Sequence, residues 1–180
     1  MSPTRFVALL RGVNVGGVTI TNSALSDTFA REGFENIRTV LASGNVAFSP
    51  ADYTGVALDI KAKIEGALRR DFDYDAWIVL RAQERLAQIA KNYPFARTDE
   101  TDHPYVVFSS SQDVAVELLA EGAGILTDVE ALEAGDGSLY WRVPKGSSLD
   151  TPFAKLIAKA RYKPHLTTRN LRTVEKLVIA

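Results

Sequence analysis

Residues 6–12, FVALLRG, decide how the first part of this chain folds. Five consecutive apolar residues, followed by an arginine and a glycine, predict a strand that is covered on both faces and then turns. Residues 13–17, VNVGG, continue that turn. The spacing of the next apolar residues predicts a helix that is capped by Asn22 or Ser23 and stopped by Gly33.

The rest of the chain repeats one order of elements. After the first strand and helix, the pattern predicts strands over 37–41 and 46–48, a helix over 54–70, a strand over 76–80 and a helix over 81–92. The later residues predict a strand over 105–108, a helix over 114–120, strands over 127–132 and 139–143, and helices over 153–160 and 168–178. Each half reads β-α-β-β-α, and the first half ends with a further strand. The sequence therefore predicts an α+β fold.

This order is typical of the ferredoxin-like fold. We predict two ferredoxin-like halves of the βαββαβ type, packed into one compact unit over residues 1–180. The first half covers residues 5–91, a connector covers 92–103, and the second half covers 104–180.

Composition excludes several kinds of chemistry. The 180 residues include no cysteine, so disulfides, thiolate metal sites and cysteine nucleophiles are absent. His103 and His165 are the only histidines and stand far apart in sequence, so we expect no metal site. No stretch resembles a signal-peptide core or a bilayer-spanning segment, which predicts a cytoplasmic protein without a membrane partner.

Charge is unevenly distributed along a chain whose formal net charge is −1. Residues 99–136 contain ten Asp or Glu and no Lys or Arg, whereas residues 142–176 contain nine Lys or Arg against Asp150 and Glu175. Two interpretations are open. The two segments are solvated faces that pair with each other, within the chain or across a homodimer, or the basic segment contacts a phosphate-bearing partner.

The predicted topology brings two polar loops together. In a βαββαβ half the third strand lies between the first and the second, so the end of the first strand and the hairpin between the second and third share one sheet edge. We predict that Arg11, Gly12 and Asn14 lie beside Ser43, Gly44 and Asn45, where glycines let the backbone approach an anion closely. The alternative is that these residues only shape turns.

A second polar segment, Thr167-Thr168-Arg169-Asn170, precedes the last predicted helix. The pattern predicts Thr168 as the N-cap and places Arg169, Arg172 and Lys176 on one helical face. That face is either solvated or in contact with phosphate. The chain has neither the GxxxxGK[ST] order of a P-loop nor the GxGxxG order of a dinucleotide fold, so we predict no cofactor.

Three motifs resemble those of a bacterial family of unknown function, domain of unknown function 1697. They are LRGVNVGG (residues 10–17), SGNVAF (43–48) and TTRNLRTVEKL (167–177), and YPF (93–95) and VPKG (143–146) fall in the same order. The family usually has tryptophan where this chain has Leu171. The resemblance implies an α+β fold with ferredoxin-like halves and supplies no activity.

These observations lead to three functional hypotheses. The first is a protein that binds an anionic ligand, a nucleotide-like molecule or a nucleic-acid backbone, through a set of residues in the two polar segments: Arg11, Gly12, Asn14, Ser43, Gly44, Asn45, Thr168, Arg169 and Asn170. The second is an enzyme that acts on a phosphorylated or carboxylated small molecule, with Arg11 and Arg169 as electrostatic clamps. The third is a scaffold or oligomerisation module. No catalytic constellation is recognisable in the sequence.

Overall fold

The structure, a computed structural model, describes residues 4–13, 18–51, 57–73, 75–97 and 100–180. The chain divides into two compact units. The first unit contains Met1–Ala87 and Glu175–Ala180, and the second contains Gln88–Val174. The single compact body predicted over residues 1–180, with its boundaries, stays a prediction.

The first half has the predicted ferredoxin-like topology. Its elements are β1 (Phe6–Leu10), α1 (Asn22–Arg31), β2 (Phe34–Thr39), β3 (Asn45–Pro50), α2 (Ala57–Phe72) and β4 (Ile78–Ala82), and α3 (Gln83–Lys91) follows. The strands form an antiparallel sheet in the order β2-β3-β1-β4. The position of β3 between β1 and β2 is the one that the sequence order predicts.

Phenylalanine side chains fill the core of the first unit. The ring of Phe48 on β3 lies 4.7 Å from that of Phe34 and 5.2 Å from that of Phe29, measured between centroids. Ile64 and Leu68 of α2 pack against the same cluster. All five residues of β1 are buried, which explains why their apolar run does not alternate with polar residues.

The second half repeats this topology. Its elements are β5 (Asp102–Ser109), α4 (Gln112–Ala123), β6 (Ala131–Ala134), β7 (Ser138–Pro144), α5 (Pro152–Ile157), a 3-10 helix (Ala160–Tyr162), β8 (Leu166–Asn170) and α6 (Leu171–Val178). The second sheet has the order β6-β7-β5-β8, the counterpart of the first. The α+β class and the two ferredoxin-like halves are therefore confirmed.

Trp141 is at the centre of the second unit's core. Its ring lies 5.3 Å from Phe153 and 5.4 Å from Tyr105, between centroids. Its Nε1–H donates a hydrogen bond of 3.1 Å to the buried Glu130 carboxylate. The other oxygen of Glu130 accepts from the backbone and hydroxyl of Thr127. These bonds hold residues 127–130 in a turn, so β6 begins at Ala131 and not at Thr127 as predicted.

The structure corrects the prediction for the C-terminal segment. Residues 167–170 are the end of strand β8, paired with β5 at Thr168↔Val107 and Arg169↔Val106, and the helix begins only at Leu171. Thr168 is therefore not an N-cap, and Arg169 does not share a helical face with Arg172 and Lys176. The β-branched threonines fit a strand, and pairing with β5 outweighs their local preference for helix caps.

A smaller correction concerns the first helix. The predicted N-cap was Asn22 or Ser23, but Thr21 caps α1, and its hydroxyl accepts the Ala24 N–H at 3.1 Å. Within the described ranges, no helix has the length and apolarity needed to cross a bilayer.

Two helical glycines differ in their surroundings, which yields a paired prediction. A Cβ on the buried Gly122 of α4 would lie 2.7 Å from Leu132 Cδ2 and 2.8 Å from the Phe153 ring, whereas one on the exposed Gly66 of α2 meets no atom of the part of the chain that the structure describes within 4 Å. We expect Gly122→Ala to destabilise the fold by about 1–3 kcal/mol through overpacking. Gly66→Ala should stabilise it by about 1 kcal/mol. Urea unfolding of both variants measures the difference, and equal effects would contradict the packing assigned to Gly122.

Candidate functional site

The predicted meeting of two loops in the first unit is present. We call it the strand-end corner and define it as Arg11–Val13 after β1 together with Ser43–Asn45 before and at the start of β3. The Leu10 N–H donates a hydrogen bond of 2.8 Å to the Gly44 carbonyl oxygen. The Arg11 N–H donates to the Trp77 carbonyl oxygen at 3.1 Å, which ties the corner to the start of β4. Asn14, also predicted here, lies outside the described residues.

The two glycines of the corner are required for different reasons. Both have a left-handed backbone, with φ of +76° at Gly12 and +70° at Gly44. A Cβ on Gly44 would also lie 2.8 Å from Leu10 Cβ and 3.3 Å from Val13 Cβ, so the two loops approach too closely for a side chain. A Cβ on Gly12 would meet no atom of the described residues within 4 Å. The two loops therefore pack tightly at Gly44, whereas the described residues leave the space beside Gly12 open.

Asn45 shapes the hairpin turn. It is fully buried, and its amide nitrogen donates to the Val40 carbonyl oxygen at 2.9 Å and to Ser43 Oγ at 2.8 Å. The Val40 N–H in turn donates to the Asn45 carbonyl oxygen at 2.9 Å. The turn-shaping interpretation of Asn45 and Ser43 therefore has direct geometric support, whereas their contact with a ligand stays a prediction.

Arg11 supplies the positive charge of the corner. Its side chain is half-buried, and this desolvation lowers the pKa of its guanidinium from the usual value. Desolvation weakens the competition of water for the charge, so an anion brought to this position interacts with Arg11 more strongly than with a fully solvated arginine.

The other predicted residues, Thr168, Arg169 and Asn170, belong to β8 of the second unit. Arg169 is buried, and its Nη1 donates to Thr167 Oγ1 at 2.7 Å and to the Thr168 carbonyl oxygen at 2.9 Å. Burial lowers the pKa of Arg169 to about 10. The Asn170 side-chain oxygen accepts the Arg172 N–H at 3.0 Å, so Asn170 satisfies one of the first N–H groups of α6.

Alternation along β8 places Arg169 on the face of the sheet opposite the helices. Thr168 pairs with Val107, which lies with Leu166 in the core beneath the helices. Thr167 and Arg169 therefore point to the opposite face of the sheet. The helix predicted for this segment gave no sign that Thr167 is the partner of Arg169, whereas a strand places both side chains on one face.

The charge asymmetry is partly accounted for within the second unit. Arg142 Nε lies 3.9 Å from an Asp102 carboxylate oxygen, and Arg161 forms ion pairs with Glu117 and Glu121. Each pair joins the acidic segment 99–136 to the basic segment 142–176. On α6, Arg172 and Lys176 are exposed. Within the described ranges, no group of three or more His, Asp or Glu side chains has the arrangement of a metal site.

Comparison with known proteins gives a family and a fold. Residues 3–140 match the family described as "Protein of unknown function (DUF1697)". The structure is similar to that of the conserved bacterial protein SP0830 from Streptococcus pneumoniae, with a TM-score of 0.80 and 22% identity over 99% of this chain and 98% of that one. At that identity the likeness concerns the fold alone. No functionally curated protein matches the sequence.

The strand-end corner generates a stability prediction. We expect Gly44→Ala to destabilise the protein by about 3 kcal/mol or more, because the left-handed backbone costs about 1–2 kcal/mol and the approach to Leu10 Cβ adds steric strain. Gly12→Ala has the same backbone cost without the clash, so its loss should stay near about 1–2 kcal/mol. Chemical denaturation of the two variants measures both values, and a smaller loss for Gly44→Ala than for Gly12→Ala would contradict the close approach.

Proposed function

We propose that this protein, which belongs to the DUF1697 family of proteins of unknown function, binds a small phosphate-bearing ligand of the nucleotide type at the strand-end corner of its first unit. One observation carries the proposal. The half-buried Arg11 stands next to a left-handed glycine, Gly12, beside which the described residues 4–13 and 18–51 leave open space for a ligand. A guanidinium beside an approachable backbone is a common arrangement for holding phosphate.

Arg11 is the anchor in this proposal. An arginine offers several N–H donors in a planar fork that matches two oxygens of a phosphate. Partial burial disfavours the charged form, as its lowered pKa indicates, and a bound anion reverses that penalty. Ligand binding should therefore be coupled to the charge of Arg11 more strongly than to that of any fully exposed cation.

Gly12 adds a backbone donor. Its N–H forms no hydrogen bond with another residue in the described part of the chain, and Gly12 is exposed. Gly12 has no side chain to keep a ligand away, so phosphate oxygens can reach this N–H group. Gly44 and Asn45 support the corner from the other side, through the turn described above.

Three other functions remain as outcomes of the test. A nucleic-acid backbone is the alternative partner, with the exposed Arg172 and Lys176 of α6 as its contacts. An enzyme would turn over the molecule that binds at the corner, with Arg11 as a clamp. A scaffold would bind none of the ligands offered.

The first test is a thermal-shift screen of nucleotides, sugar phosphates and a short oligonucleotide, followed by calorimetric titration of the best ligand. We expect Arg11→Gln to weaken binding by about tenfold, because hydrogen bonds to a charged group contribute about 1.5–3 kcal/mol. Arg85→Gln is the matched control, since it removes the same charge from an exposed position of the same unit. Unchanged affinity together with a lower melting temperature for Arg11→Gln would mean that Arg11 is structural, and the proposal would fail.

The second test distinguishes a nucleotide from a nucleic-acid backbone. If an oligonucleotide binds through α6, its affinity falls steeply with salt, and neutralising Arg172 or Lys176 reduces the slope by about one unit each. For a nucleotide at the corner we expect these variants to leave affinity unchanged. Filter-binding titrations at two salt concentrations measure the slope. Binding that depends on α6 and not on Arg11 would replace the nucleotide proposal with the nucleic-acid one.

A further inference from the structure

We infer that the first unit carries a second anion site, a basic cleft at the other end of β1 that accepts a small organic anion with an apolar body. We call it the basic cleft and define it by the residues that line it: Arg5, Asn36, Ile37, Arg38, Ile179 and Ala180. Its volume is about 520 Å³. Small-molecule sites span roughly 300–1,000 Å³, so a compact aromatic or aliphatic acid fits this space.

Arg5 is held in a fixed position at the cleft. Its Nε donates to the Gln83 side-chain oxygen at 3.0 Å, and its Nη2 donates to the Asn36 and Ala180 carbonyl oxygens at 3.1 and 3.2 Å. In the described part of the chain its other terminal nitrogen, Nη1, forms no hydrogen bond. Arg5 is thus a pre-oriented cation, which lowers the entropy cost of binding an anion.

A bulge in β2 presents the second cation. The pairing of β2 with β3 shifts register between Glu35 and Arg38, and Asn36 has a left-handed backbone with φ of +51°. Bulges redirect side chains and are frequent beside functional sites. Arg38 is exposed, and its guanidinium forms no hydrogen bond or ion pair among the described residues. The Asn36 carbonyl oxygen accepts from Arg5, so the same arginine also stabilises the bulge.

Two isoleucines give the cleft an apolar wall. Ile37 is half-buried, and Ile179 is 83% exposed. Gln83 holds the segment that carries Ile179, because its side-chain nitrogen donates to the Leu177 and Ala180 carbonyl oxygens at 2.8 and 3.1 Å. An exposed isoleucine on an anchored segment beside two arginines suits a ligand with one charged end and one apolar end.

The basic cleft is distinct from the strand-end corner. Arg5 precedes β1 and Arg11 follows it, so the two arginines stand at opposite ends of one strand. At about 3.3 Å per residue their Cα atoms are roughly 20 Å apart, too far for one small ligand to contact both. The cleft therefore does not depend on the proposed function of the corner.

The test is an NMR titration of 15N-labelled protein with phenyl phosphate, benzoate and inorganic phosphate. We expect phenyl phosphate or benzoate to shift the amide signals of residues 36–38, 179 and 180, and the stronger of the two identifies phosphate or carboxylate as the preferred group. Inorganic phosphate should bind more weakly, because it has no apolar body to bury on Ile37 and Ile179.

Variants assign the binding to named side chains. Arg38→Gln should weaken phenyl phosphate binding at residues 36–38 by about tenfold, the effect of losing a charge-assisted hydrogen bond, while the control Arg85→Gln, at an exposed position outside the cleft, leaves it unchanged. Ile179→Ser should weaken phenyl phosphate and leave inorganic phosphate unaffected. Absence of shifts at residues 36–38, or equal affinity of wild type and Arg38→Gln, would overturn the inference. Loss of binding in Arg11→Gln alone would assign the ligand to the corner and also overturn it.

Discussion

The pairing of β1 with a neighbour on each side is the constraint on which the first unit depends. β3 and β4 both form antiparallel ladders with it, and every residue of β1 is buried. A strand whose backbone and side chains are fully engaged has no group left for a ligand. Polar chemistry is therefore confined to the two ends of the strand, where Arg5 precedes it and Arg11 follows it. The second sheet is arranged in the same way around β5.

The parts of the fold that follow from hydrophobic pattern were predictable. The run of residues 6–10 predicts β1 with its observed bounds, and the spacing of Val56, Ile60, Ile64 and Leu68 predicts α2. The juxtaposition of the Arg11 loop with the Ser43–Asn45 turn also followed, because the order of elements determines which strands are neighbours. The corner was thus predictable from topology. The close approach of its two loops requires a residue without a side chain, and the sequence has Gly44 at that point.

The C-terminal segment was not predictable in the same way, since local and long-range preferences disagree there. A threonine before a run of helix formers is typical of an N-cap, yet residues 167–170 pair with β5 and complete the second sheet. Only the repetition of βαββαβ in both halves could have revealed the missing strand. The position of Arg169 was not predicted for the same reason, because a strand alternates its side chains between two faces and a helix does not. The bulge at Asn36 and the hydrogen bonds of Arg5 are tertiary features without a local pattern.

The hydrogen bonds of Arg5 and Gln83 to residues 177–180 also bear on how the polypeptide folds during synthesis. The first unit consists of Met1–Ala87 and Glu175–Ala180, so the second unit is inserted into it in the order of the chain. The carbonyl oxygens of Leu177 and Ala180 that Gln83 binds are synthesised after the whole of the second unit. Residues 1–87 emerge before the second unit, yet the unit they form lacks one of its segments until residues 175–180 have been added. The second unit is continuous in sequence from Gln88 to Val174, so all of its residues are synthesised before residues 175–180 of the first unit. This reverses the usual order, in which the N-terminal unit is completed first.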